Sequence, residues 1–160
     1  MEEINFLKRL KKEGKIKLVE QSDEISDSYI SKSESNISSS KILLENDKLE
    51  ESVALTYYSM YHMLTALLFK IGIKCENHTA SIILLKEIFK MDNSDILNAK
   101  EERIDKQYYT DFHIVKEEIF EAINDAEEFN SKILDFISKL TNDDIKNFRE
   151  TFKELINDNK

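Results

Sequence analysis

The run TYYSMYH, residues 56–62, sets three tyrosines and a histidine inside the most apolar stretch of the chain. On a helix, Tyr57 and Tyr61 lie one turn apart, and so do Tyr58 and His62, which makes two adjacent stripes. Tyr57 and Tyr61 continue into Leu64 and Leu68 and read as core packing, with hydroxyls reaching the helix boundary. Tyr58, His62, Thr65 and Phe69 form a more polar stripe that can border a pocket. His62 alone reads as a structural histidine until a partner that tunes it is found.

Two further clusters carry polar chemistry. Glu76, Asn77 and His78 stand at the entrance to the apolar segment HTASIILLKEIFK. Unpaired N–H groups and the helix dipole favour an anion at such a start, so a phosphate can be held there with help from His78; Asn77 acting only as a cap is the plainer alternative. The second cluster is EERIDKQYYTDFH, residues 101–113, in which Arg103 is followed by Asp105, Gln107, Tyr108, Tyr109, Asp111 and His113. Arginine is scarce in this chain, present only as Arg9, Arg103 and Arg149. Its use at 103 points to planar, bidentate recognition of phosphate or carboxylate, against the alternative of an ion pair with Glu101, Glu102 or Asp105. Arg103 and Gln107 share a helix face. Arg103 and Tyr108 diverge by about 140°, so they meet in one site only at a helix end or across a subunit interface. A metal site on Cys75 and His78 lacks a second ligand pair, His62 and His113 being isolated, and neither a metal nor a cofactor is expected.

The elements that must position these groups are helices. With 160 residues, no proline and only Gly14 and Gly72, the chain is long enough for one core and has little to interrupt a helix, so an all-α fold is expected. Apolar periodicity predicts helices over residues 2–13, 22–45 and 49–71, then from 77 to 90, through ILNAKEERIDKQYY, along 115–140, and from 141 onward; no strand is apparent. Nine serines fall between 22 and 40, and Ser26, Ile30, Ser33, Ile37, Ser40 and Leu44 recur at helical spacing. That stripe would let a neighbouring helix approach closely, with disorder as the alternative.

The net charge of −9 argues against a broad grip on duplex nucleic acid. Residues 1–21 nevertheless carry six basic against four acidic side chains, and are expected to form an N-terminal helical arm on a single bundle domain spanning 22–160. The arm reads as a solvated amphipathic helix or, alternatively, a nucleic-acid contact. One cysteine excludes an internal disulfide, and a start without a secretory pattern predicts a reducing cytoplasm. Polar groups interrupt the 49–71 segment, so no membrane span is expected.

Taken together, YISKSESNISSSKILLE, ALTYYSMYHMLTALLFKIGIKCENHT and KEERIDKQYY followed by INDAEEFNSKIL resemble the HEPN (higher eukaryotes and prokaryotes nucleotide-binding) proteins, closest to stand-alone archaeal and bacterial members, over residues 22 to 140. The resemblance implies an up-and-down helical bundle with short extra helices at both ends. It also implies a homodimer, and a nucleotidyltransferase antitoxin as partner in a toxin–antitoxin pair. Many members are metal-independent endoribonucleases that use an Arg and a His four to six residues apart. Here Arg103 takes the arginine position and Tyr108 stands where the histidine would follow. The resemblance thus implies binding of RNA or a nucleotide phosphate, with Arg103, Tyr108 and His78 as catalytic candidates and Tyr58, His62, Asn77, Asp105 and Gln107 as binding candidates. The competing expectation is a non-catalytic helical module for dimerisation or partner docking.

Overall fold

Ser22 has an extended backbone, and its side chain accepts the Ile25 N–H at 3.1 Å, so a helix starts at the next residue. A computed structural model describes residues 1–108 and 115–157, with 105–108 described by backbone alone. Tyr109, Asp111 and His113 lie outside the described residues. The described chain runs α1 (Glu2–Lys12), β1 (Ile16–Leu18), α2 (Asp23–Glu45), α3 (Leu49–Ile71), β2 (Ile73–Cys75), α4 (His78–Phe89), α5 (Ser94–Tyr108), α6 (Lys116–Lys139) and α7 (Asn142–Ile156). This is an all-α helical bundle, the class that composition and periodicity predict and the architecture that the resemblance implies.

α3 is the central helix. Tyr57, Leu64, Ala66, Leu67 and Ile71 on it are completely buried, and α1, α4, α6 and α7 supply Leu7, Ile82, Ile133 and Phe152 to the same core. Each such aliphatic side chain contributes about 1.5–3 kcal/mol relative to leaving it exposed. A smaller cluster of Leu44, Val53, Ile119 and Ile123 closes one end, against α6. The N-terminal helix buries Leu7 and Leu10 in the main core, while Lys11 Nζ donates to Asn157 Oδ1 at 3.0 Å.

The serine stripe is ordered helix, not low-complexity chain. Ser26, Ser33 and Ser40 are buried, and their hydroxyls donate across to the α3 carbonyls of Ala66, Ser59 and Ser52 at 2.9, 2.6 and 2.9 Å. The rungs are seven residues apart on both helices and the paired residue numbers add to the same total each time, as an antiparallel pair in strict register requires. At the last rung Ser52 Oγ donates back to the Ser40 carbonyl at 2.8 Å, and Thr56 Oγ1 lies 2.6 Å from Ser40 Oγ. Small side chains permit the close approach, and the carbonyls satisfy the hydroxyls that the approach buries.

One expectation fails in detail. Among the described residues two strands are present, β1 pairing antiparallel with β2 through Ile16↔Cys75, Lys17↔Lys74 and Leu18↔Ile73. Three residues are too few for an alternating pattern to stand out from its helical surroundings. The pairing carries the chain from the end of α3 to the start of α4. Gly72 makes the turn at φ 82°, and Arg149 of α7 fastens it, with Nη1 donating to Val19, Ile71 and Gly72 carbonyls at 2.8, 2.9 and 3.2 Å. A Cβ at Gly72 would collide with that guanidinium and with the Val19 carbonyl. No helix among the described residues is long and apolar enough to cross a membrane.

Candidate functional site

Helix α3 presents Tyr57, Tyr58, Tyr61 and His62 as one continuous aromatic surface, and three other helices close on it. From α5, Arg103 Nη1 donates to Tyr58 Oη at 3.3 Å, with its Cζ 5.2 Å from the Tyr57 ring centroid and 5.4 Å from that of Tyr58. A guanidinium over two aromatic faces is held by cation–π attraction as well as by the hydrogen bond. From α4, His78 lies against the middle of α3: Nδ1 is 2.8 Å from Tyr57 Oη, and the imidazole stacks on Tyr61 at 3.7 Å between centroids. From α2, Asn36 Nδ2 lies 2.8 Å from Nδ1 of His62, and the Tyr29 ring is 5.8 Å from the same imidazole.

Four of the residues singled out from sequence therefore meet: Tyr58, His62, His78 and Arg103 are linked by direct contacts running from Asn36 on α2 to His78 on α4. Asn77 sits beside them, but its Oδ1 accepts the Ala80 N–H at 2.9 Å and its carbonyl accepts the Ser81 N–H, so it serves as the α4 cap. Asp105, Gln107 and Tyr108 follow Arg103 on the α5 backbone, and their side chains lie outside what the structure describes. Among the described residues, no group of three His, Cys, Asp or Glu is arranged to hold a metal ion.

Tyr57 and Tyr61 do more than pack. Tyr57 is fully buried, yet its hydroxyl binds His78 and its ring faces Arg103. Asn36 and Lys100 also join the cluster, and sequence spacing along α3 marks neither of them. Lys100 stands one helical turn before Arg103 and donates to Thr79 Oγ1 at 2.7 Å, a position that the i, i+3 relation could have flagged. Asn36 sits among serines on a different helix, and nothing in its surroundings announces His62.

The electrostatics run against those of the whole chain. Burial lowers the His78 pKa below the usual histidine value, and the positive charges of Arg103 and Lys100 lower it further. Burial likewise lowers that of His62, helped by Lys32. Burial pushes the Tyr57 hydroxyl well up despite the opposing pull of Arg103, and raises Tyr61 in the same way. At neutral pH the cluster thus holds two uncharged imidazoles and protonated phenols among Lys32, Lys100 and Arg103, a cationic patch on a protein of net charge −9. Such a patch suits an anion, and neutral imidazole suits proton transfer at neutral pH.

A family model, that of the HEPN domain, matches residues 26–137. The UPF0332 protein PH1297 of Pyrococcus horikoshii is 43% identical over 54 residues, which is 34% of this chain and 38% of that protein. The match thus spans little more than a third of the relative's own length.

Proposed function

The chain belongs to the HEPN domain family, and from that membership we propose that it is a homodimer that binds RNA or a nucleotide phosphate at Arg103, as the toxin-like partner of a nucleotidyltransferase antitoxin. The observation that carries this reading is the placement of Arg103 over Tyr57 and Tyr58, beside a neutral His78. The two rings hold the guanidinium in place, and a planar cation so held suits a phosphate. In this reading Asp105, Gln107 and Asn77 border the bound strand, and the second copy completes the crevice.

The reaction we assign is metal-independent endoribonuclease cleavage. The ribose 2′-hydroxyl attacks the adjacent phosphorus, and its proton passes to His78. We assign the tautomer in which His78 carries its proton on Nδ1, 2.8 Å from Tyr57 Oη, so that Nε2 accepts the proton of the 2′-hydroxyl. Arg103 holds the non-bridging oxygens as negative charge grows on them. The bond to the 5′ oxygen then breaks, and that oxygen needs a proton. A neutral tyrosine with a pKa near ~10 is a better acid than base at neutral pH, so Tyr108 is assigned this step. Tyr58 and His62 order the pocket rather than react.

The test is expression of wild type and Arg103→Ala with growth and RNA integrity followed, alongside cleavage of a labelled single-stranded RNA by the purified chains. Toxicity and cleavage by wild type only are expected. Equal growth with intact RNA, together with unchanged RNA affinity, would overturn both halves of the proposal. Affinity lost without any cleavage by wild type would leave a binding module.

A further inference from the structure

α5 has two flanks. Arg103 and Lys100 look toward α3 and α4, whereas Asp95, Asn98 and Ala99 line a groove of about 250 Å³ shared with α3 and α6. The floor of the groove is apolar, made by Val53 and Met60 of α3 and Ile119 and Ala122 of α6. Its edges are acidic: Asp95 on one side, and Glu118, Glu121 and Asp125 along α6 on the other. No lysine or arginine occurs among the described residues that line it.

An apolar trough is where a helix lays down an aliphatic anchor, and a carboxylate rim on both sides selects what flanks that anchor. The volume exceeds the roughly 150 Å³ of a cavity that takes a benzene-sized guest, so one or two aliphatic side chains fit. A nucleic-acid strand is repelled by the rim, and an acidic helix equally so. We propose that this groove is the docking site for an amphipathic helix of a partner protein, one that presents an aliphatic residue flanked by Lys or Arg. The surface is separate from the Arg103 cluster, and the inference stands whether or not that cluster binds RNA. Because the guest bears on α5, docking also braces the helix that carries Arg103.

The probe is a fluorescein-labelled helical peptide with leucines on one face and lysines flanking them, titrated onto the full chain and followed by anisotropy. Two control peptides replace the lysines by glutamate and the leucines by serine. Binding of the basic leucine peptide alone is expected, weakening with added salt and falling at least about tenfold in the double variant Glu121→Lys/Asp125→Lys. Both positions are exposed, so the variant is expected to keep wild-type circular dichroism and melting. Ala122→Phe, which fills the floor without changing charge, should abolish binding as well. In amide NMR spectra the shifts should map to α3, α5 and α6. The proposal is overturned if the basic peptide does not bind at millimolar concentration, if the acidic peptide binds as well, if neither variant weakens it, or if the shifts centre on Lys32 and His62 instead.

Discussion

The Arg103 guanidinium crosses from α5 to α3 to hydrogen-bond Tyr58, and covers the rings of Tyr57 and Tyr58 together. Tyr58→Phe keeps the ring and removes only the acceptor. It is expected to cost about 1.5 kcal/mol in urea unfolding, the low end for a hydrogen bond to a charged group because the contact is long at 3.3 Å. RNA affinity should fall less in Tyr58→Phe than in Arg103→Ala, because the cation remains. Arg103→Lys keeps the charge and loses the planar fork, so its salt dependence should resemble wild type while its affinity does not.

Stability should depend on pH through the histidines. His62 and His78 are depressed in the folded protein, mainly by burial, whereas an unfolded histidine titrates near ~6.5. On acidification the unfolded chain takes up protons first. The stability contribution is therefore complete above about pH 6.5 and is lost as pH falls toward the folded values. Urea midpoints measured from pH 7.5 down to 5 should decline in wild type and flatten in His62→Gln/His78→Gln. A double variant with an unchanged slope would contradict this account.

Tyr57→Phe isolates the bond to His78. The ring still fills its fully buried site, but Nδ1 of His78 loses its partner. The His78 resonance in NMR titration should move relative to wild type while that of His62 stays. Loss of cleavage without loss of RNA binding would place Tyr57 as a positioning residue for His78.

The serine ladder should behave as independent rungs except at one end. Ser26→Ala and Ser33→Ala are expected to cost about 1 kcal/mol each and to add, since each hydroxyl meets its own carbonyl. Ser40→Ala and Ser52→Ala should not add, because those two hydroxyls and Thr56 share one network. Ser33→Leu should cost more than Ser33→Ala by forcing the helices apart.

Gly72→Ala strains a left-handed residue and thrusts a methyl into Arg149 and the Val19 carbonyl. It is expected to destabilise by more than 1 kcal/mol in thermal unfolding. Arg149→Met should cost about 1.5–3 kcal/mol, the usual range for hydrogen bonds to a charged group. Combined, the two losses should fall short of their sum, since Arg149→Met removes one source of the clash.

Helix boundaries were legible because their signals are local. Ser22, Asn77 and Thr141 cap the helices that follow them, and Gly72 ends α3, each within a few residues of the pattern it punctuates. The serine periodicity was legible for the same reason. The candidate cluster around Arg103 was legible only in part. Tyr58, His62, His78 and Arg103 advertise themselves by type, but Asn36 reaches His62 from another helix, and spacing along one helix cannot reveal a meeting between two. Arg149 was missed because its acceptors are backbone carbonyls, which every residue owns and no sequence marks.

The matched register of α2 and α3 also limits how this protein can change length. Deleting one residue inside either helix turns everything beyond it by about 100° and detaches the remaining hydroxyls from their acceptors at once. Additions are expected to survive at the bend around residues 46–48, or as whole heptads inserted in both helices together. The two helices are thus tied to a common ruler, and lengthening one obliges the other to follow.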